Sequence, residues 1–409
     1  MLSQNSLDNL AIPFVERQQY INRYIIEQIA KRIKEIGTLS PSDVAKLITL
    51  RNSGADVRKL NNEIAKITNL QLKDIQDMIR YVANDAYLDA KPFYDYREMP
   101  FVPLEQNLYL NLVVESIAKQ TQDMFINLSN NVAFMYRDMR TNKLIPCKLS
   151  EYYTKVTDTA IQAVVNGTVD YNTAMRQTLK DLSDYGMRVV YHPESGRVYT
   201  QRMDTAVRRN ILDGVRAINQ GVQDEVGKQF GADGVELSVH QYPAEDHAPV
   251  QGHQFYKEEY DKMNNGEPFQ DVQGRRYQSF DRAIGTLNCR HFAFNIIVGE
   301  AKQNYTDKQL QDIIQQNNEG YTLPNGKHLT LYECTQKMRE YETKIRYMKD
   351  GQIASVQAGN EELALYYQRK VTELTKKYKA FCSACGLQPM LNKARVMGYK
   401  RIKAKSLQT

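Results

Sequence analysis

The stretch from Asp204 to His240, DTAVRRNILDGVRAINQGVQDEVGKQFGADGVELSVH, changes period part-way along. Val207, Ile211, Val215, Ile218, Val222 and Val226 recur every three or four residues, the spacing of one buried helix face. Asp204 stands where an N-cap is expected, and Gly231 and Gly234 close the helix off. From Val235 the pattern alternates. Val235, Leu237 and Val239 share one side of a strand, and Glu236, Ser238 and His240 share the other. A long helix running directly into a half-buried strand predicts an α+β unit rather than an all-helical bundle.

Upstream of this stretch, Met187 to His192 and Arg197 to Gln201 are β-prone runs separated by Pro193-Glu194-Ser195-Gly196, which predicts a hairpin. Downstream, a loop from Tyr242 to Leu287 leads to a second strand. In that strand Phe292, Phe294, Ile296 and Val298 are expected to face the core, with Cys289, His291 and Ala293 on the other face. The first 185 residues read as helices. Ile21, Ile25, Ile29, Ile33 and Ile36 form one stripe ended by Gly37, and Ser40-Pro41 restarts the chain ahead of Val44, Leu47 and Ile48. Ile75, Met78, Ile79 and Val82 repeat the pattern, and Pro92, Pro100 and Pro103 are expected to break the helical array. Beyond Gly299, Tyr332, Tyr341, Ile345 and Met348 predict one helix, and Leu363, Tyr367, Val371, Leu374 and Tyr378 a second. Gly351 to Asn360 is expected to join them as antiparallel neighbours. The expected fold class is mainly α with a small central α+β module. A helical N-terminal region covers 1–185, the module 186–300, and a C-terminal helical hairpin with a basic tail 301–409.

Composition narrows the function classes. The 409 residues are 42% hydrophobic and 25% charged, which excludes a wholly disordered or collagen-like chain. The most apolar stretch, Leu108 to Ala118, is interrupted by Asn111 and Glu115, so no membrane contact is expected. Met1 to Asp8 lacks the basic and apolar blocks of a secretory signal. The five cysteines are Cys147, Cys289, Cys334, Cys382 and Cys385, too few and too uneven for a disulfide framework. Their use predicts thiols in a reducing compartment. The net charge is +6, yet residues 301–409 carry 19 Lys or Arg against 10 Asp or Glu. The positive charge therefore belongs to the C-terminal region, where no acidic residue follows Glu373. Lys393, Arg395, Lys400, Arg401, Lys403 and Lys405, interleaved with Tyr399 and Ile402, suit sequence-independent contact with phosphates. A solvated end that keeps the chain soluble is the alternative.

Four of the six histidines, His240, His247, His253 and His291, fall with Cys289 within a 52-residue stretch of the α+β module. Zinc accepts mixed nitrogen and sulfur ligation, so His240, His247, Cys289 and His291 could form a tetrahedral site. A hydrogen-bonded structural cluster is the alternative, and nothing else in the sequence calls for a cofactor. Asp246 with His247 suggests a metal-dependent nuclease, and Cys289 with His291 a nucleophilic pair. No HExxH, paired-carboxylate, P-loop or GxGxxG spacing supports an enzyme, so none is expected. Cys382-x2-Cys385 lacks the second pair a zinc site needs and reads as two ordinary thiols.

Within the module, several features occur in a specific order. They are His247-Ala248, Gln251-Gly252, the aromatic pair Phe255-Tyr256, Phe280 with Gly285, and Asn288-Cys289-Arg290-His291 closing at Gly299. Arg202 with Thr205 and Ala206, Gly234-Val235-Glu236, and Tyr332-Glu333 through Gln336, Arg339, Glu342 and Ile345-Arg346 extend the pattern. Together they resemble the phage minor capsid protein 2 family, relatives of the Mu F-type head morphogenesis proteins. Val250 stands where that pattern favours Trp, and around Tyr242 to Glu245 only the Pro-Ala character of a Gly-Ala-Arg-Pro-like segment survives. The resemblance implies a structural minor head protein of a tailed bacteriophage, made in the bacterial cytoplasm and carried in the virion. Its implied partners are the portal, other capsid proteins and packaged double-stranded DNA. The N-terminal helices would meet portal or capsid, the tail would meet DNA, and Gln251, Gly252, Asn288 and Arg290 would be motif residues. A nuclease or toxin-like effector carried in the head is the alternative reading.

Overall fold

The computed structural model describes residues 9–40, 42–51, 54–138, 141–166, 171–191, 199–280, 282–285, 289 and 291–403. In chain order the first elements are α1 (Ile12–Gly37), α2 (Val44–Arg51), α3 (Gly54–Tyr96), α4 (Leu108–Asn130), β1 (Val132–Arg137) and β2 (Leu144–Cys147). Then come α5 (Leu149–Asn166), α6 (Tyr171–Tyr185), β3 (Arg188–Tyr191), β4 (Tyr199–Arg202), α7 (Met203–Gln229), β5 (Gly234–Leu237), β6 (Gln254–Tyr256) and α8 (Lys257–Asn264). The remainder are β7 (Phe269–Gln270), β8 (Arg276–Tyr277), β9 (Ala293–Ile296), α9 (Asp307–Glu319), β10 (Tyr321–Thr322), β11 (His328–Leu329), α10 (Leu331–Gln357) and α11 (Glu361–Ala384). The described residues are 64% helical with small antiparallel sheets, so the chain is mainly α as its periodicity requires. No helix among the described residues is long and apolar enough to cross a membrane.

The chain divides into two interleaved compact units. One comprises Met1–Ala11, Leu72–Phe125 and Arg209–Gln336, and the other Ile12–Gln71, Ile126–Arg208 and Lys337–Thr409.

In the first unit, α7 buries Ile211, Val215, Ile218, Val222 and Val226, the stripe its spacing predicts. Asn210 Nδ2 donates to the Thr121 carbonyl on α4 at 3.1 Å, and Tyr94 on α3 donates its hydroxyl to Gln229 at 2.6 Å. The sheet has the order β6-β5-β9, with Val235 opposite Asn295 and Leu237 opposite Ala293. Its core joins Val235, Leu237, Val250, Phe255, Met263, Phe269, Ile284 and Ala293. The second strand is therefore turned over from its expected facing. Ala293 points into the core, and Phe294 and Ile296 are only partly buried. Cys289 and His291 precede the strand rather than lying on it. His240 likewise lies beyond β5, all four of whose residues are buried. The expected loop from Tyr242 to Leu287 contains β6, α8, β7 and β8. Pro92 lies inside α3, which ends four residues later at Tyr96, so it does not break that helix.

In the second unit the predicted hairpin forms, with Arg188 opposite Arg202 and Tyr191 opposite Tyr199. It belongs to a sheet ordered β2-β1-β3-β4, whose first two strands lie where only helices were expected. The five isoleucines of α1 are all buried. Asp43, just ahead of α2, accepts from the backbone N–H and hydroxyl of Ser40. The predicted turn Pro193 to Gly196, Pro41 and the side chains of Val44 and Ile48 lie outside the described residues. α10 continues through Gly351, so Ala358 to Asn360 is the whole link to α11. Tyr341 against Tyr378 and Phe381, and Gly351 against Tyr367, make the two helices antiparallel.

Asp204 lies in the first turn of α7 but does not cap it, because the helix begins at Met203. Its carboxylate takes Arg202 Nε at 3.1 Å and Arg346 Nη1 at 3.1 Å, and Arg202 Nη1 also reaches Asp350 at 2.7 Å. Arg202, Asp204 and Asp350 are buried. Removing one member of such a set strands its partners' charges, so Asp204→Ala should cost about 3–5 kcal/mol in equilibrium urea unfolding. A loss below about 1 kcal/mol would mean the network does not hold this unit together.

Candidate metal centre

The turn after β5 positions the first half of the site. His247 donates its backbone N–H to Ala244 O at 3.1 Å, and Gln251 N–H returns to His247 O at 3.2 Å. This single helical turn sets His247 and Gln251 four residues apart on one side. Gly252 ends it in the left-handed region, at φ 73°, and donates to the Leu237 carbonyl at 2.9 Å. The second half comes from the run before β9. Ser238 N–H donates to Phe292 O at 2.8 Å and Phe292 N–H to Ser238 Oγ at 2.9 Å, which registers Cys289 and His291 beside the turn. The Cys289 carbonyl accepts from Arg216 Nη1 on α7 at 3.2 Å. That guanidinium occupies the space where a Cβ on Gly285, at φ 87°, would sit.

Three of the four candidate ligands converge. Cys289 Sγ lies 3.4 Å from His247 Nδ1 and 3.3 Å from His291 Nδ1. One donor atom from each of the three residues lies within 4.8 Å of the others, and all three side chains are buried. His240 is outside that group. Its ring meets His291 edge-on with centroids 4.3 Å apart, and its backbone N–H donates to Gln251 Oε1 at 2.8 Å. The opposite nitrogens of the two converging rings face carbonyl oxygens, His247 Nε2 to Arg282 O at 3.0 Å and His291 Nε2 to Gln251 Oε1 at 3.3 Å. His253 belongs elsewhere, bonded to Arg275 at 2.7 Å.

Burial opposes a charge on His247. The Cys289 sulfur, the Arg282 carbonyl and the Asp246 carboxylate outweigh it and raise the imidazole above its ordinary value. Burial also opposes a thiolate, but His247 and the backbone N–H groups of Gly285 and His291 lower Cys289. For His291, burial followed by the neighbouring His240 and His247 pushes the pKa down to about 2, so this ring is neutral. A neutral imidazole beside a readily ionised thiol is a metal-ligating combination. Asp246 is not part of it. Arg282 holds that carboxylate at 2.8 and 3.2 Å, and it reaches His247 only at 3.6 Å.

Of the predicted motif residues, Gln251 and Gly252 build the turn, whereas Asn288 and Arg290 lie outside the described residues. Arg282, which orients both His247 and Asp246, carried no sequence signal because its role rests on a backbone carbonyl and a contact 36 residues distant. The predicted basic residues are far from loose. The Arg395 carbonyl accepts from Gln19 at 3.1 Å, that of Lys400 from Gln352 at 2.8 Å, and Ile402 N–H donates to Gln368 at 2.7 Å. Arg395, Lys400, Arg401 and Lys403 are exposed, Lys393 is partly buried, and Lys405 lies outside the described residues. All five cysteines are buried and none forms a disulfide.

A family model, phage minor capsid protein 2, matches residues 2–383. The chain belongs to that family. No curated protein and no solved structure matches it. As a phage minor capsid protein it is a structural component of the virion head and works among other head proteins.

In this minor capsid protein a Cβ at Gly252 would stand 2.5 Å from Leu310 Cδ2 and 2.9 Å from Val239 Cγ2, in a backbone region L-residues avoid. Gly252→Ala should therefore lower unfolding free energy by at least about 1–2 kcal/mol in urea titrations. An unchanged midpoint would mean the turn carrying Gln251 relaxes freely.

Proposed function

We propose that this minor capsid protein acts without catalysis at the portal vertex of the head. It binds the portal protein through its N-terminal helices and packaged DNA through its C-terminal basic surface. The observation that carries the reading is a run of apolar side chains left in solvent on either side of the α3–α4 connection. Phe93 and Tyr96 end α3 at 63% and 84% exposed, and Leu108, Tyr109 and Leu112 open α4 at 77%, 71% and 69%. Leu108 and Leu112 share a helix face, and Tyr109 lies one turn from Leu112. Apolar groups clustered this way in solvent mark a protein contact. A structural head family supplies portal as the natural occupant, since a low-copy head protein needs one fixed docking place. The exposed cations at Lys400, Arg401 and Lys403 belong to a segment whose backbone is already pinned. Such a surface meets phosphates without ordering a loose arm first.

Leu108→Glu with Leu112→Glu should weaken co-purification with the portal protein of the same phage by at least about tenfold, the loss of one buried leucine. The thermal melt should stay unchanged. Full retention on portal would remove this face as the docking surface. For DNA, replacing Lys400, Arg401 and Lys403 with Gln should reduce the slope of log affinity against log salt by roughly 0.9 for each phosphate no longer neutralised. An unaltered slope on a mixed-sequence duplex would end the claim for this segment.

A further inference from the structure

The geometry points to a zinc ion held by His247 Nδ1, Cys289 Sγ and His291 Nδ1, with the fourth tetrahedral position left to an exogenous ligand, tying the turn after β5 to the run before β9. Three independent features support it. The first is spacing. With zinc–sulfur near 2.3 Å and zinc–nitrogen near 2.0–2.1 Å, tetrahedral ligands place S and N about 3.5 Å apart. The observed separations are 3.4 and 3.3 Å.

The second is hydrogen bookkeeping. Arg282 O and Gln251 Oε1 are acceptors, so each histidine carries its proton on Nε2 and presents a lone pair at Nδ1. That Gln251 oxygen is fixed as an acceptor because it also takes the His240 backbone N–H. Two lone pairs thus face one sulfur. A thiol has a single proton and can satisfy only one of them, and a thiolate beside a protonated His247 still leaves His291 with lone pair against lone pair. A cation at the centre satisfies all three donors at once. The same Nε2 contacts are those by which zinc-bound histidines are usually oriented.

The third is the chemistry of the set. Two imidazoles and a thiolate suit zinc, whereas calcium and magnesium need oxygens, and the nearby Asp246 is occupied by Arg282. On binding, the Cys289 S–H bond breaks, a Zn–S bond forms, and one proton leaves to solvent. No redox change is involved. The exposures of His247, Cys289 and His291 are 1%, 8% and 4%, which gives the ion a cross-linking role.

The test uses the full-length, untagged protein expressed with zinc and purified without chelator. Elemental mass spectrometry should find about one zinc per chain, retained in Cys147→Ser, a distant thiol control, and lost in Cys289→Ser and His291→Ala. Gln251→Ala, which removes only the oxygen orienting His291, should weaken zinc by roughly 10–100-fold in chelator competition. Stripping the ion should lower the melting temperature of the wild type, and zinc should restore it. If Cys289→Ser fails to fold, cobalt exchanged into the wild type should show a thiolate charge-transfer band and intense tetrahedral d–d bands. A zinc-free wild type, a featureless cobalt spectrum, or full zinc retention by Cys289→Ser would each overturn the assignment. None of these outcomes bears on portal or DNA binding, which fail or succeed on their own variants.

Discussion

Two guanidinium groups and two carboxylates, the buried Arg202, Asp204 and Asp350 with the partly buried Arg346, tie the second unit together. They join the end of β4, the first turn of α7 and the middle of α10. Gln19 of α1 adds a long contact to Asp204 at 3.5 Å, and Tyr347 lies under the Arg202 guanidinium at 5.3 Å. The charges balance two against two, which is the condition for burying them at all. Burial works against both carboxylates. Asp204 has Arg202, Arg346 and Gln19 about it and falls below the usual carboxylate range, whereas Asp350 has mainly Arg202, with the Asp204 charge nearby, and rises. On acidification Asp350 therefore takes a proton first. The stability that Asp204 contributes is present above the ordinary carboxylate range and is lost only as pH falls towards its lowered value. Arg202 and Thr205 meet the distant Arg346 here, all three part of the family-like pattern, with Arg346 Nη2 on Thr205 Oγ1 at 3.1 Å.

The long helices α1 and α7 were legible because each carries enough turns for its period to show. Every apolar position read on α7 and on α1 is buried. The strands were harder for a definite reason. β1 and β2 bury little more than Phe134 and Cys147, so their alternation was too weak to interrupt the helical reading. In β9 the inward residue is Ala293, held by Gln220 Nε2 on its carbonyl at 3.1 Å. The larger Phe294 and Ile296, which sequence alone assigns to the core, are only partly buried. α8 buries only Met263 and is otherwise polar, which made it read as loop. At the site, residue types announced the cluster, but which histidines converge depends on a backbone turn and on Arg282, neither of which leaves a periodic trace.

The basic tail illustrates how composition and structure divide the labour. Charge counting located the cations, and it could not say whether their backbone was free. Ala394 and Val396 are buried, the Ala394 carbonyl takes Lys349 Nζ at 2.6 Å, and Tyr399 lies beneath the same ammonium at 5.2 Å. The segment is thus held by its apolar side chains and carbonyls, and the arginine and lysine heads are what remains outside. Non-specific affinity for a polyanion depends on charge density rather than on shape.

A helical protein of this size has abundant local order and few local means of fixing which segments meet. Helices form from hydrogen bonds four residues apart and gain most of their stability only by packing. Short strands of two to four residues, as in β5 to β9, add little register of their own. Long-range ties must supply it. In the second unit the tie spans 148 residues between Arg202 and Asp350, and it works by charge. In the first unit the matching tie spans 42 residues between His247 and Cys289. Closing a loop of that length is entropically costly, so a tie made of two lone pairs facing one sulfur would be a poor one. The zinc ion proposed above would convert the same three side chains from a conflict into a cross-link between the turn after β5 and the run before β9.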